Sequence, residues 1–210
     1  MKEDYLTEEV IAEMRSRYFR ERKWRKIEPF RKSAVLAIDL QKYFLSPESR
    51  AFLPSVPRFV PRLVKFYSRV RELNVPIIFT RHYHAGGTMA RWWGGDMPKD
   101  DLLNDLLDEF KPFAETVIEK STYDAFYGTE LEGMLGKLGV ETVVVTGVMT
   151  HLCCETTARE AFVRGFNVVF PVDGTLTQNR LFHEATLRNL SHGFAVTPLL
   201  SEVLEWLLSG

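Results

Sequence analysis

Short apolar runs alternate with segments of helical spacing through most of this chain, and this alternation constrains the fold more than any other feature. Four apolar runs are typical of strands buried on both faces: residues 34–38, 75–80, 141–147 and 167–173. Helical spacing marks the segments 58–73, 101–110, 130–138, 150–164, 183–191 and 201–208, and brief strands are predicted at 116–119 and 194–197. The pattern predicts an α/β fold: a three-layer, doubly wound, mostly parallel sheet of five to six strands with helices on both faces. In such sheets, ligands bind at the carboxyl ends of the strands.

The bulk composition excludes several classes of protein. The chain has 210 residues, of which 45% are hydrophobic and 26% charged, and its formal net charge is -1. A nearly neutral chain gives no global reason to expect nucleic acid or a membrane surface as partner, and no apolar run is long enough to cross a bilayer. The first residues are polar and acidic, unlike a signal peptide. Two adjacent cysteines make a poor disulfide, so we expect reduced thiols and a cytoplasmic location.

The N-terminal segment is predicted to be a helical extension, residues 1–30, preceding a domain that spans 31–210. A helix is expected over 7–26, with Thr7 as its N-cap. Its second half is rich in arginine and lysine. A nucleic-acid arm is one interpretation, and a helix face in contact with solvent or another subunit is the favoured one.

Both cysteines of the chain lie in the stretch GVMTHLCCETTARE, Gly147–Glu160. Cys153 falls in the first turn of the helix that follows a predicted strand, where free N–H groups and the helix dipole stabilise a thiolate. A small buried hydrophobic side chain is the other interpretation of this position. Cys154 points about 100° further round the helix and is expected to pack.

Two charged residues are predicted at the same edge of the sheet as Cys153. Asp39 ends the first strand, and Lys120 follows the short strand at 116–119. Nucleophilic catalysis needs a proton acceptor. Either residue could lie beside Cys153 and assist its reaction. A capping role for Asp39 and a solvated charge for Lys120 remain open on spacing alone.

Three blocks, AVLAIDLQKYF, VIEKSTYDAFYGTEL and VVVTGVMTHLCCETTAREAF, resemble the signature blocks of the isochorismatase-like cysteine hydrolases. This superfamily includes nicotinamidase, N-carbamoylsarcosine amidase, biuret hydrolase and ureidoacrylate amidohydrolase. The resemblance implies a catalytic triad of Asp39, Lys120 and Cys153. It also implies a cis peptide between Val148 and Met149, and an oxyanion hole formed by the backbone N–H groups of Met149 and Cys153.

The implied reaction is hydrolysis of a C–N bond in a small amide, carbamoyl or ureido compound through a thioester. Three alternatives stay open: an isochorismatase-type vinyl-ether hydrolase, a thiol redox protein, and a catalytically silent binding protein of the same fold. The isochorismate-cleaving branch typically lacks the cysteine, so Cys153 argues against the first. Adjacent cysteines lack the C-x-x-C spacing, which argues against the second.

The stretch TRHYHAGG departs from the metal-binding pattern of the nicotinamidases. In those enzymes an Asp-x-His pair and a further histidine bind a metal, whereas here His82 stands at the aspartate position and His84 at the first histidine. We therefore expect no metal and no cofactor, and the missing pattern argues against nicotinamidase.

Four residues are candidates for the substrate pocket: Phe44, His84, Trp92 and Tyr123. For the aromatic residues, packing in the core or between subunits is an equally open interpretation. The expected partner is a small-molecule substrate, with no nucleic acid and no membrane. Relatives are commonly oligomers, and Tyr18, Phe19 and Trp24 are available for a partner, so a homodimer or homotetramer is predicted.

Overall fold

The two most apolar strands lie side by side at the centre of a parallel sheet. In the computed structural model, which describes residues 1–19 and 32–209, strand β1 (Ser33–Ile38) pairs with β4 (Thr142–Val148) along its whole length. Every residue of both strands is buried. Because side chains alternate between the two faces of a strand, burial of every residue requires cover on both faces. The predicted α/β architecture is confirmed.

The sheet has the strand order β3-β2-β1-β4-β5, and β6 pairs with β4; all these pairings are parallel. The remaining strands are β2 (Ile77–His82), β3 (Thr116–Lys120), β5 (Asn167–Val169) and β6 (Thr175–Leu176). The α-helices of the described residues are α1 (Glu8–Tyr18), α2 (Lys42–Leu45), α3 (Val56–Glu72), α4 (Gly87–Trp93), α5 (Leu131–Lys137), α6 (Glu155–Val163), α7 (Arg180–Gly193) and α8 (Leu200–Ser209).

The strand order reverses between β1 and β4, because the chain continues from β1 to β2 on one side and returns to β4 on the other. This reversal opens a crevice at the carboxyl ends of the two strands, which is where doubly wound sheets bind ligands. The segment after β1 and the segment after β4 therefore form the two walls of the expected site.

Helix α3 shows how a predicted spacing produces cover for the sheet. Five apolar residues of this segment have helical spacing: Phe59, Leu63, Phe66, Val70 and Leu73. The first four are buried, and Leu73, at the end of the helix, is half-buried. A stripe of this kind stabilises a helix mainly through burial against a neighbouring layer. Tyr67 joins the same core, where its hydroxyl reaches Thr146 of β4 at 2.8 Å.

The prediction of an α-helix at 101–110 is wrong. The chain forms two 3₁₀ turns instead, Leu102–Asn104 and Asp108–Phe113. The physical reason is that backbone groups of this segment bond to the segment after β1: Leu107 N–H donates to Leu40 O at 2.9 Å, and Asp105 O accepts from Lys42 N–H at 2.9 Å. These bonds replace the i to i+4 bonds of an α-helix.

The strand predicted at 167–173 is shorter than expected, and that at 194–197 is a single bridge between Val169 and Val196. Beyond Val169 the backbone no longer bonds to β4 but to the C-terminal segment: Phe170 N–H donates to Val196 O, and Val172 N–H donates to Pro198 O. Pro171 has no N–H to continue a ladder.

The N-terminal helix α1 ends at Tyr18, and the rest of the predicted helix lies outside the described residues. Thr7 caps α1 as expected, because its side chain accepts from Val10 N–H. Tyr18 is buried and donates to Glu184 of α7 at 2.7 Å, so it is not free for a partner. Arg15 pairs with Glu202 of α8. None of the helices in the described ranges is long and apolar enough to cross a membrane.

Candidate active site

Asp39 and Lys120 form a fully buried ion pair at the carboxyl end of the sheet. Lys120 is the last residue of β3, and its Nζ lies 2.7 Å from Asp39 Oδ2. It also donates to Thr122 O at 2.9 Å. Asp39 follows β1 directly and has a φ of 49°, a left-handed conformation that is rare outside glycine. Such a residue persists only where its surroundings hold it, and it is often found at functional sites.

Thr80 holds the other carboxylate oxygen of Asp39. It lies on β2, the strand between β1 and β3, and its hydroxyl donates to Asp39 Oδ1 at 2.6 Å. The same hydroxyl accepts from Asp39 N–H at 3.1 Å. Both carboxylate oxygens are therefore bound, one by a cation and one by a hydroxyl. Sequence reasoning missed Thr80; its signal was a polar residue at the end of the apolar run VPIIFT.

The Cys153 thiol lies close enough to this pair for both Lys120 and Asp39 to act on its pKa. It belongs to a π-helical turn, Thr150–Cys154, that follows β4. The pKa of Cys153 is raised to about 12: burial of the thiol is the largest cause, the Lys120 ammonium opposes it, and the Asp39 carboxylate adds to it. The sequence suggested that free N–H groups and a helix dipole would favour a thiolate here, whereas burial acts on the thiol pKa in the opposite direction.

The pKa of Lys120 is raised above its ordinary value although burial alone lowers it. The main opposing cause is the Asp39 carboxylate, which favours the ammonium by its charge. Lys120 is therefore an ammonium at neutral pH. A buried charge of this kind requires an opposite charge beside it, and Asp39 supplies one.

Cys154 packs in the interior, as its helical position predicted. It is fully buried, and its Sγ lies 4.0 Å from Thr146 O on β4. Burial, rather than any charge, is the main cause that raises its pKa. Its side chain does not line the cavity that Cys153 lines.

The backbone after β4 turns sharply between the strand and the Cys153 turn. The peptide bond between Val148 and Met149 is cis. Gly147 has a φ of 115°, and a Cβ at this position would lie 2.1 Å from Ile38 O. Only glycine therefore allows β4 to approach β1 this closely. In the described part of the chain no hydrogen bond uses the Met149 N–H, which leaves it free to receive an oxyanion.

A cavity of about 290 Å³ opens onto Cys153. Its walls include Phe44, His84 and Tyr123, three of the four residues expected there. Trp92 is not among them: it is 76% exposed and faces away. The neighbouring Trp93 lines the cavity instead, and its Nε1 donates to Tyr123 Oη at 2.8 Å.

The choice between the two tryptophans depends on α4, which replaces the expected loop. Successive residues of a helix point about 100° apart, so Trp92 and Trp93 cannot both face the cavity. From the sequence a loop was expected here, and a loop does not indicate which of two adjacent side chains faces the cavity. A larger cavity of about 620 Å³ lies elsewhere, beside Arg17, Arg159 and Phe194, and none of the three predicted triad residues lines it.

His82 and His84 bond to each other rather than standing apart as metal ligands. His82 Nε2 lies 2.9 Å from His84 Nδ1, and His84 Nε2 donates to Gly95 O at 3.1 Å. Because a carbonyl only accepts, His84 carries its proton on Nε2 and accepts from His82. Burial lowers the pKa of His82 to about 4, with Lys120 adding to the effect, so it is neutral at pH 7.

This arrangement does not fit a metal ion of the nicotinamidase kind. Both ring nitrogens of His84 are used, and no carboxylate stands at the position of His82. No group of three or more histidine, cysteine or acidic residues suited to a metal occurs in residues 1–19 and 32–209. Gln41 instead fixes His82: its side chain accepts from His82 N–H at 2.8 Å and donates to His82 O at 3.0 Å.

The isochorismatase domain profile matches residues 33–200, which is most of the chain, so the protein belongs to the isochorismatase family. The matched region contains β1 to β6 and all three residues of the buried Asp39–Lys120–Cys153 cluster. The family resemblance seen in the three sequence blocks is thereby confirmed.

Several known proteins are similar to this chain. Nicotinamidase 3 of Arabidopsis thaliana is 41% identical over 171 residues, covering 78% of this chain and 82% of its own. N-carbamoylsarcosine amidase of Arthrobacter sp. is 28% identical over 150 residues, covering 66% of this chain and 57% of its own. The crystal structure of a cysteine hydrolase from Pseudomonas syringae pv. phaseolicola superposes with a TM-score of 0.81 at 22% identity, covering 91% and 97% of the two chains. The two amidase relatives support a hydrolase acting on C–N amide bonds, and the superposed structure shows the fold.

Proposed function

We propose that the protein is a cysteine hydrolase that cleaves the C–N bond of a small amide, carbamoyl or ureido compound through a thioester on Cys153. The observation that carries this proposal is the buried Asp39–Lys120 ion pair in contact with the Cys153 thiol. A nucleophile (Cys153), a base (Asp39) and a cation (Lys120) lie together, and Cys153 faces the cavity. This combination serves acyl transfer.

The first half of the reaction transfers the acyl group to sulfur. Asp39 accepts the thiol proton as Cys153 Sγ attacks the carbonyl carbon. The carbonyl oxygen becomes an oxyanion, which the N–H groups of Met149 and Cys153 stabilise. The tetrahedral intermediate then expels the amine, which takes the proton from Asp39. The thioester remains, and ammonia or a small amine leaves.

The second half returns the enzyme to its starting state. A water molecule gives one proton to Asp39 and attacks the thioester carbon. The C–S bond breaks, and the proton on Asp39 returns to the sulfur of Cys153. The product is a carboxylic acid, or a carbamate when the substrate is a ureide.

The raised pKa of Cys153 fits this order of events. A resting thiol needs a base at the moment of attack, and the Asp39 carboxylate is the one that touches it. Lys120 stabilises the negative charge that develops on this cluster. Thr80 keeps the carboxylate aimed at the sulfur by holding Oδ1.

The substrate is small, because the cavity of about 290 Å³ lies at the lower end of typical ligand pockets. The missing metal pattern argued against nicotinamidase. The 41% identity to Nicotinamidase 3 nevertheless makes nicotinamide one of the amides to test. Mostly aromatic and apolar walls with few polar groups suit a compact carbonyl compound.

The experiment is an ammonia-release screen over a panel of small amides, ureides and carbamoyl compounds that includes nicotinamide. Wild type is compared with Cys153→Ala and with the adjacent control Cys154→Ala. We expect turnover of at least one compound, its loss in Cys153→Ala, and retention of most of it in Cys154→Ala. Turnover that survives in Cys153→Ala would refute the proposal.

A further inference from the structure

An N-terminal arm, residues 1–6, reaches the cavity through Lys2 and is tied to the domain by hydrogen bonds. Tyr5 Oη lies 2.8 Å from His183 Nδ1, and the N–H groups of Tyr5 and Leu6 both donate to Ser55 Oγ. Glu3 N–H donates to Gln178 O at 2.8 Å. Because Tyr5, Ser55 and His183 are buried, the arm is held in one place.

The arm carries Lys2 to the wall of the cavity. Its Nζ donates to Arg50 O at 2.7 Å and to Phe52 O at 2.8 Å. Both acceptors are neutral carbonyls, so they position the ammonium without cancelling its charge. An ammonium has three donors, and the third is left for another group. Burial of its stem lowers the pKa of Lys2, although the residue remains exposed.

Arg50 places a second cation at the same mouth. It lines the cavity, and its Nε donates to Tyr43 Oη at 3.3 Å, again a neutral partner. One guanidinium nitrogen approaches Gly95 on the opposite wall. Within the described ranges of the chain, neither Lys2 nor Arg50 forms an ion pair with an acid.

The charges elsewhere in the cavity do not offset these two cations. Asp39 and Lys120 neutralise each other in the interior and do not line the cavity. Asp96 is the acid on the wall, and its Oδ1 accepts from Gly86 N–H at 2.7 Å rather than from either cation. The mouth therefore retains a net positive charge of about one unit, from two cations that are exposed at its rim and open to an incoming anion.

We propose that Lys2 and Arg50 form a subsite for an anionic group of the substrate, so that the favoured substrates are small amides or ureides that also carry a carboxylate. This inference rests on the proposed function, which places the reacting carbonyl of the substrate at Cys153. The carboxylate of the same substrate would then lie at the mouth of the cavity. Lys2 lies outside the matched family domain, residues 33–200, so it adds to the site a cation that the domain itself does not supply.

The first test compares acids with neutral compounds of the same length. Half-amides of succinic, glutaric and adipic acid are paired with the corresponding diamides. The measured quantity is the ratio of kcat/KM for the half-amide to that for its diamide. Because partly exposed ion pairs are worth about 1 kcal/mol, we expect this ratio to fall about fivefold in Lys2→Gln and in Arg50→Gln.

Two further variants separate charge from structure. Lys2→Arg keeps a cation and should retain most of the preference for the half-amide. Lys137→Gln, on an exposed lysine of α5 that does not line the cavity, should leave the ratio at the wild-type value. An unchanged ratio in the double variant Lys2→Gln/Arg50→Gln would overturn the subsite.

The second test does not depend on turnover. Glutarate and neutral glutaramide are compared for their ability to protect Cys153 from alkylation by iodoacetamide, with each variant normalised to its own unprotected rate. We expect glutarate to protect wild type better than glutaramide does, and the difference to vanish in the double variant. Equal protection in wild type would overturn the subsite. Protection without turnover of any amide would instead sink the proposed function and leave the subsite standing.

Discussion

Asp39 depends on two neighbours that come from different strands. Lys120 reaches it from β3 and Thr80 from β2, so that each carboxylate oxygen has one strong partner. Hydrogen bonds to a charged group contribute more than those between neutral groups. The direction of the carboxylate towards Cys153 therefore depends on Thr80 as well as on the ion pair.

Removing the Thr80 hydroxyl should impair the chemical step more than substrate binding. For Thr80→Val we expect kcat to fall about 10- to 100-fold, because a hydrogen bond to a charged group is worth roughly 1.5–3 kcal/mol. KM should change little, since Thr80 does not line the cavity. Thr80→Ser keeps the hydroxyl and should restore most of kcat. Equal kcat in Thr80→Val and wild type would remove Thr80 from this role.

The state of the resting thiol can be read from its ultraviolet absorption. The pKa of Cys153 is raised to about 12, and a thiol below its pKa keeps its proton. The difference spectrum between wild type and Cys153→Ser should therefore show no thiolate band up to pH about 10. A band with its midpoint near the ordinary cysteine pKa of about 8.5 would contradict the buried, neutral thiol.

The predicted triad residues were accessible from sequence, whereas Thr80 and Gln41 were not, and sequence could not choose between Trp92 and Trp93 for the cavity wall. Asp39, Lys120 and Cys153 stand in blocks whose order and spacing resemble a family. Thr80 and Gln41 act through hydrogen bonds across strands, and sequence spacing does not show which strands are neighbours. Which of Trp92 and Trp93 faces the cavity depends on how the short helix α4 is rotated about its axis.

At the scale of elements, the site depends on how closely β1 and β4 approach. Gly147 and Ile38 are partners in the sheet, one residue before Val148 and Asp39 respectively. The positive φ of Gly147 and the space left by its missing Cβ allow both chains to turn towards the cavity. A side chain at this position would separate the two walls of the site.

Gly147→Ala should therefore destabilise the fold. A Cβ at 2.1 Å from Ile38 O adds overpacking to an unfavourable φ, and each typically costs 1–3 kcal/mol, so we expect a loss of about 3 kcal/mol or more in the free energy of unfolding. Denaturant titration measures it. The control is Gly133→Ala in α5, where the new Cβ meets no atom and alanine favours the helix by about 0.5–1 kcal/mol. Equal stability of Gly147→Ala and wild type would contradict this account.

The long strands were predictable and the connecting segments were less so. Runs such as 141–147 are so apolar that only a buried strand accommodates them in a chain of this pattern. The segment at 101–110 has helical spacing, but its backbone bonds to residues 40 and 42 decide its conformation. Such tertiary bonds have no local signature in the sequence.

At the scale of the whole molecule, the N-terminal residues belong to the folded unit rather than standing clear of it. The arm reaches the cavity through Lys2, and α1 packs on α7. Tyr18 is buried, and Phe19 lies against Trp206 and Arg15. Trp24 lies outside the described residues. Two of the aromatic residues expected to meet another subunit are thus engaged within the chain.

Self-association remains a prediction from the family resemblance. Large apolar side chains are still exposed, among them Val163 at 72% and Leu181 at 76%, and burial of such groups favours assembly. We expect sedimentation equilibrium at micromolar concentration to give a mass of two or four times 24.3 kDa. A single species at the monomer mass would contradict it.

The central claim is that an acyl group passes through the sulfur of Cys153. The most direct measurement is mass spectrometry of enzyme quenched in acid during turnover of an amide identified in the screen, followed by peptide mapping. The account predicts a mass increase equal to the acyl group, carried by Cys153 and absent from Cys153→Ser. An adduct on Cys154, or steady turnover by Cys153→Ser with no adduct at all, would contradict it.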